Sequence, residues 1–153
     1  MLMKYFELET EELTLEYENH LKNLAPKYPK KLYDLFIKHE RFHDYYIKKL
    51  SLDFENIIFK NQHTKIYLTI ISDFVGDEVY LEFEFDKIVK FYIDSDHYCK
   101  YGDYFLHSIY YTEIGITQDG NFSFELAISD GPKIYFEFGK CKVLKQGKPK
   151  MIL

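Results

Sequence analysis

The spacing of apolar residues changes once along the chain, and this change constrains the fold more than any other feature. Before about residue 43, apolar residues recur every three or four positions, as they do on one face of a helix. From about Tyr45, apolar and polar residues alternate, as in "LSLDFEN" and "EVYLEFEF", which is typical of strands with one buried face. The sequence therefore predicts helices first and strands afterwards, the order of an α+β domain.

The helical part, about residues 9–43, is predicted to form two helices joined in a hairpin. Thr10 is a good N-cap for the first helix. Pro26 and Pro29 interrupt the helical pattern, and Pro29 suits the first turn of a second helix.

The β part, about residues 45–145, is predicted to contain about seven strands. Turn-forming segments separate them, among them "KNQHT", "VGDE", "QDGN" and "SDGPK". Asp-Gly in "QDGN" predicts a type I′ hairpin turn. Because parallel strands need crossovers of a dozen residues or more, we expect an antiparallel meander, curled or packed against the helices. Residues 1–153 then form a single domain.

Composition limits the classes of protein that the chain can belong to. Of its 153 residues, 46% are hydrophobic and 29% are charged, a normal globular mixture. The net charge of −5 argues against nucleic-acid binding, which usually needs a basic excess. No apolar run has the length of a membrane span, and the N-terminal residues lack the pattern of a secretory signal. We therefore expect a cytoplasmic protein that binds neither nucleic acid nor membrane.

Motifs for cofactors and nucleophilic catalysis are missing from the sequence. It contains no P-loop, no G-x-G-x-x-G and no G-x-S-x-G, so we expect no cofactor. Cys99 and Cys141 lie far apart and outside any C-x-x-C spacing. They are predicted to be free thiols packed in strands.

Charged and aromatic residues are unevenly distributed. Residues 7–18 hold six Glu and no base, whereas residues 140–150 hold five Lys and no acid. These runs can be solvated surfaces of opposite sign that face each other, or the acidic face can attract a basic partner protein. The 15 Tyr and 14 Phe fit a sheet and its core, and Tyr is also favoured in protein interfaces.

The string "HERFH" at residues 39–43 matches the H-E-x-x-H signature of zinc metalloproteases. If the second helix continued through His43, His39 and His43 would lie one turn apart on one face and could bind zinc. Glu40 would then be placed to act as a general base on zinc-bound water. A zinc-dependent hydrolase is therefore one hypothesis for the function.

The sequence around this string favours a different interpretation. The continuation "DYYIKKLSL" lacks the third ligand of the extended metalloprotease pattern, and it soon becomes a strand. The motif helix is expected to unwind before the two imidazoles line up. His63, His97 and His107 lie in the β part, and a site built from His97, Cys99 and His107 has an unspecific spacing. We therefore predict no metal site.

Two segments resemble a known family. "MKYF" at residues 3–6 and "RFHDYYIKKLSLDFEN" at residues 41–56 are similar to a family of bacterial domains of unknown function. Its members begin Met-Lys-Tyr-Phe and carry a Phe/Leu-His-Asp step before the first strand. The resemblance implies no catalytic residues, and it marks Phe42, His43 and Asp44 as the meaningful unit. The chain also resembles, more weakly, immunity proteins that bind and block a toxin.

His43 and Asp44 are therefore the candidate binding residues. In a structural role, Asp44 would accept backbone N–H groups and His43 would donate to a carbonyl, which would pin the first strand to the helix end. The leading hypothesis is a non-enzymatic protein-binding domain, of the immunity type, with an acidic and Tyr-rich surface for a basic protein partner. The third hypothesis is a small-molecule binder with its ligand in the curled sheet. An exposed sheet edge would also permit a homodimer.

Overall fold

The computed structural model describes residues 11–55, 63–72, 78–94, 108–128 and 133–147. Within these ranges, two α-helices and a short 3₁₀ turn precede eight strands, which confirms the predicted α+β class. The helices are α1 (Glu11–Leu24) and α2 (Lys30–Lys38), and the 3₁₀ turn is Glu40–Phe42. The strands are β1 (Tyr46–Glu55), β2 (His63–Ile71), β3 (Tyr80–Asp86), β4 (Lys90–Asp94), β5 (Ile109–Ile116), β6 (Phe122–Ile128), β7 (Lys133–Phe138) and β8 (Lys140–Gly147).

The strands form two antiparallel sheets rather than the single meander of about seven strands that the sequence predicts. The first sheet has the order β1-β2-β3-β8, and the second has the order β4-β7-β6-β5. The segment predicted as one last strand is divided at Gly139 into β7 and β8, one in each sheet. The alternation of apolar residues is the same on both sides of this division, so it does not mark the change of sheet.

A bent two-stranded ribbon joins the sheets. Its corner lies where β3 leads into β4 and β7 leads into β8, and Gly139 N donates to Asp86 O across it at 3.0 Å. Lys87, opposite Gly139, has a φ of 55°. A Cβ atom at position 139 would lie 3.0 Å from Lys87 Cβ, so any larger residue there would force Lys87 to shift.

The core lies between the two sheets and under the helices. Five phenylalanine side chains with no solvent exposure come from both sheets: Phe83, Phe85, Phe124, Phe136 and Phe138. The ring of Phe85 packs edge-on against Phe136 at 4.7 Å and against Phe138 at 4.8 Å. These rings fill the space between the two sheets.

Helix α1 covers the outer edge of β5. The Tyr17 hydroxyl donates to Thr112 O at 3.0 Å, and His20 Nε2 donates to Ile114 O at 3.0 Å. After α1, the Tyr28 hydroxyl donates to Ser123 O in β6 at 2.8 Å. Because an uncovered edge strand invites pairing with other chains, these side-chain donors also protect the second sheet.

Tyrosine hydroxyls also donate hydrogen bonds to glutamate carboxylates on the outer faces of the strands. Four such pairs join the phenol oxygen to the carboxylate: Tyr67 with Glu84 at 3.1 Å, Tyr80 with Glu82 at 3.2 Å, Tyr111 with Glu113 at 3.4 Å, and Tyr135 with Glu137 at 2.5 Å. Part of the high tyrosine content therefore serves as hydrogen-bond donors to strand carboxylates.

The β5–β6 connection is a hairpin, as predicted, but its turn is not type I′. Gly120 N donates to Thr117 O at 3.0 Å, and Thr117 N donates to Asn121 O at 2.8 Å. Of residues 117–121, only Gly120 has a positive φ, of 83°, whereas type I′ needs positive φ at both central residues. The predicted cap Thr10 and the turn "SDGPK", apart from its lysine, lie outside the described residues, as do most of "KNQHT" and "VGDE".

Neither described helix is long and apolar enough to cross a membrane. Cys141 is a partly buried free thiol in β8, as predicted, and burial raises the pKa of this thiol well above its usual value. Cys99 lies outside the described residues.

Candidate functional site

A left-handed turn follows α2. The helix ends at Lys38, and His39 is its C-cap. Four of the next five residues have positive φ: Glu40 (51°), Arg41 (58°), Phe42 (60°) and Asp44 (65°). Left-handed backbone costs an L-residue with a β-carbon roughly 1–2 kcal/mol. The rest of the protein must therefore hold this turn in place.

The side chain of Phe42 anchors the turn in the core. It has no solvent exposure, and its ring lies 5.6 Å from Phe36 and 5.9 Å from Phe83. Two backbone bonds brace the same segment, from Phe42 N to His39 O at 2.9 Å and from His43 N to Glu40 O at 3.1 Å. Burial of one aromatic ring therefore stabilises the strained conformation.

Backbone groups join the end of the turn to the start of β5. Asp44 N donates to Ile109 O at 2.9 Å, and Ile109 N donates to Tyr45 O at 2.6 Å. Tyr46 and Ser108 form an isolated antiparallel bridge beside them. The predicted pinning of the first strand is present, but main-chain atoms make these bonds, not the carboxylate of Asp44 or the imidazole of His43.

The side chains of His43 and Asp44 pair with each other instead. His43 Nδ1 lies 3.1 Å from Asp44 Oδ2, and the two side chains are 50% and 55% exposed. The His43 ring lies 6.0 Å from the ring of Tyr110 in β5, which is 44% exposed. Together with the exposed Glu40, these residues form one surface, which we call the turn surface (Glu40, His43, Asp44 and Tyr110).

The turn surface is linked to α1 through Arg41. The guanidinium of Arg41 lies 5.1 Å from the centre of the Tyr17 ring, a cation–π distance. The Tyr17 ring in turn lies 5.9 Å from Tyr111 in β5. Burial, together with the neighbouring Tyr111 and Glu113, raises the pKa of the Tyr17 phenol well above its usual value.

The continuous helix that the zinc hypothesis needs is not formed. The helix ends before His39, because Phe42 turns into the core through left-handed backbone. His39 Nδ1 is hydrogen-bonded to the Tyr45 hydroxyl at 2.9 Å, whereas His43 Nδ1 lies beside Asp44. The two imidazoles therefore contact separate neighbours, and Glu40 lies on the exposed side of the turn.

A wider search of the described ranges finds no group of three or more His, Cys, Asp or Glu side chains arranged to hold a metal ion. The alternative ligands His97, Cys99 and His107 lie outside these ranges, as does the side chain of His63.

Arg41 and Tyr110 are the two members of this region that the sequence reasoning missed. Tyr110 lies where the pairing of β5 with β6 shifts register, between Ile109 and Tyr111, and burial along β5 does not alternate regularly. The sequence therefore gave no clear signal for its outward position. No local pattern marks Arg41, because its contact with Tyr17 depends on the left-handed turn.

Comparisons of the chain with protein-family profiles, with curated proteins and with solved structures gave no match. The relation to a bacterial family that residues 41–56 suggest therefore stays a prediction, and residues 3–6 lie outside the described ranges. The fold and the turn surface define an α+β protein with an exposed His–Asp–Tyr patch.

Proposed function

We propose that this chain is a non-enzymatic protein-binding domain that recognises a basic segment of its partner with the turn surface. The observation that carries the proposal is the left-handed turn itself. Four residues adopt a costly conformation, and the result is an exposed His43–Asp44 pair beside an exposed tyrosine. Strained backbone held by a well-packed core is frequent at binding sites.

The charge of this region supports a basic partner. Glu40 and Asp44 are exposed on the turn surface, and Glu16 and Glu18 are exposed on α1 on either side of Tyr17 in the sequence. The Arg41 guanidinium lies over the Tyr17 ring. Exposed carboxylates speed encounter with a cationic surface and help to determine its orientation.

Exposed apolar side chains on β5 and α1 support a protein rather than a small cation as the partner. Tyr110 is 44% exposed, and Leu15 on α1 is 59% exposed. A tyrosine held by a sheet binds with little loss of side-chain entropy, which is why tyrosine is frequent in interface hot spots.

Within this class, we favour a cytoplasmic bacterial protein of the immunity type. Its partner would be a toxin with a basic surface, which an acidic protein neutralises by covering it. The acidic net charge supports the immunity type, and the resemblance of residues 41–56 to a bacterial family supports a bacterial origin.

Capture from native cells followed by affinity measurement tests the proposal. We expect Asp44→Asn and Tyr110→Ala each to weaken partner binding by about tenfold or more, as for interface hot spots. Asn tolerates left-handed backbone, so Asp44→Asn changes the charge without disturbing the turn. Asp119→Asn in the exposed β5–β6 turn and Phe54→Ala, which is 63% exposed on β1, are the matched controls.

Two outcomes would contradict the proposal. One is a partner that binds all four variants as tightly as it binds the natural chain. The other is the absence of a captured protein together with peptide hydrolysis by the purified domain. Elemental analysis separates the zinc hypothesis, since we expect less than about one-tenth of an equivalent of zinc after purification without chelator.

A further inference from the structure

Among the described strands, β4 forms one edge of the second sheet, opposite to the edge that contacts the turn surface. It pairs with β7 on one side, and no other described strand pairs with its other side. In β4 and at the residue before it, three apolar or aromatic side chains are about half exposed: Val89 (55%), Tyr92 (50%) and Ile93 (49%). An edge strand with exposed apolar side chains can accept another strand.

The sequence of β4, Lys-Phe-Tyr-Ile-Asp, is complementary to itself in the antiparallel direction. When it is paired about Tyr92, Lys90 lies opposite Asp94 of a second copy, and Phe91 lies opposite Ile93. Opposite charges and apolar pairs directly across a ladder each stabilise it, whereas like charges destabilise it.

The neighbouring strand β7 extends this complementarity. Within one chain, Lys90 lies opposite Glu137, and Asp94 lies opposite Lys133. Self-pairing would therefore produce rows of alternating sign: Lys133, Asp94, then Lys90 and Glu137 of the second copy. In the central row, the stacked rings of Tyr92 and Tyr135, 6.2 Å apart at 26°, would meet the same pair from the other subunit.

We propose that two copies of this chain associate through β4, antiparallel about a two-fold axis at Tyr92. The two second sheets then become one continuous eight-stranded sheet. Such an interface is isologous, which means that both copies use the same surface. Phe91 of the first copy contacts Ile93 of the second, and Ile93 of the first contacts Phe91 of the second. Burial of Ile93 and Phe91 against each other supplies apolar area, and the charge rows determine the register.

The edges at β5 and β8 fit self-pairing less well. The edge of β5 is covered by the Tyr17 and His20 bonds from α1. Strand β8 carries three Lys and no acid, so two copies would bring like charges together. Strand β1 is bridged near its start to Ser108, and it also exposes Leu52 (36%). Leu52 therefore provides the matched control for Ile93.

Sedimentation equilibrium over a range of concentrations is the first test. We expect a monomer–dimer equilibrium in which Ile93→Lys raises the dissociation constant about tenfold or more, because it buries an unpaired charge. Leu52→Lys should leave the constant unchanged. Lys90→Asp should weaken the dimer, because it places an acid opposite Asp94 of the second copy. Reversal of all four charges of a row (Lys90→Asp, Asp94→Lys, Lys133→Asp and Glu137→Lys) should restore the dimer, since opposite charges then face each other both within the chain and between the copies.

Disulfide trapping is the second test, and it probes the symmetry axis directly. Residues opposite each other in an antiparallel pair have Cα atoms about 4.5–5.5 Å apart, within the span of a disulfide. With oxidised glutathione, Tyr92→Cys should form a covalent dimer, whereas Leu52→Cys should not. A monomer up to about 1 mM, a dimer insensitive to Ile93→Lys, or trapping through Leu52→Cys alone would each overturn the proposal.

Discussion

The hydroxyl of Tyr17 donates a 3.0 Å hydrogen bond to the backbone carbonyl of Thr112, 95 positions later in the chain. With the matching bond from His20 to Ile114 O, it holds α1 along the edge of β5. The guanidinium of Arg41 lies over the same Tyr17 ring. One buried side chain therefore joins the first helix, the left-handed turn and the second sheet.

We predict that Tyr17→Phe lowers the free energy of unfolding by about 1 kcal/mol, the usual contribution of one buried hydrogen bond. The ring and its contact with Arg41 remain, so only the donor to Thr112 O is lost. Urea denaturation measures the change. Tyr92→Phe, which removes a hydroxyl from a half-exposed ring, should be neutral, and equal losses in the two variants would contradict the prediction.

Alkaline pH should destabilise the fold. Burial raises the pKa of the Tyr17, Tyr28 and Tyr135 phenols above the ordinary value of 10.0, and the Glu137 hydrogen bond adds to the shift at Tyr135. Above about pH 10, the unfolded chain loses these protons while the folded chain keeps them. The stability that they contribute is therefore complete below that pH and is lost above it.

The expected slope is on the order of 1.4 kcal/mol per pH unit for each tyrosine that stays protonated in the folded state. Because lysines also titrate there, the informative comparison is between the natural chain and Tyr135→Phe. This variant should show a shallower loss of unfolding free energy between about pH 9.5 and 11. If unfolding free energy falls with pH equally steeply in the two proteins, Tyr135 does not contribute to the alkaline destabilisation.

Glycine substitutions should have opposite signs on the two sides of the end of α2. Glu40→Gly should raise the free energy of unfolding by about 0.5–1 kcal/mol, because glycine adopts positive φ without the usual strain. Lys38→Gly, in the last residue of the helix, should lower it by about 0.5–1 kcal/mol. Thermal and urea denaturation would measure both changes, and destabilisation by Glu40→Gly would contradict the left-handed turn.

The corner of the ribbon should show coupling between Gly139 and Lys87. Gly139→Ala should destabilise the protein by about 1–3 kcal/mol, because the new Cβ would lie 3.0 Å from Lys87 Cβ. Lys87→Gly removes that atom and also releases a φ of 55°. The double variant should therefore recover at least about 1 kcal/mol relative to the sum of the single changes. If the changes in unfolding free energy of the two single variants simply add in the double variant, the destabilisation by Gly139→Ala does not come from contact with Lys87.

The sequence reasoning succeeded where a pattern depends on neighbours in the chain. Pro29 precedes α2, as expected, and most of the predicted strands correspond to observed ones, because periodicity reflects which side of each element is buried. It failed at "QDGN", where Asp-Gly suits either of two hairpin turns and the strand register selects between them. It also failed at Gly139, which looks like an ordinary strand glycine until Lys87 is placed opposite it.

The candidate site was found only in part. His43 and Asp44 were identified from the motif, and both lie on the exposed turn. Tyr110 and Arg41 were missed because their positions depend on contacts between distant segments. The pairing of β5 with the end of the turn places Tyr110, and the ring of Tyr17 receives Arg41.

The amino-acid sequence by itself determined that helices come first, that antiparallel strands follow, and that their apolar faces turn inward, because these properties arise from the period of burial along the chain. The tertiary structure alone decided the division into two sheets and the hand of the turn after α2. Both depend on burying particular rings: the Phe42 ring reaches the core only if the backbone at residues 40–42 turns left-handed. Local propensity opposes that conformation, and packing of Phe42 against rings such as Phe36 and Phe83 stabilises it.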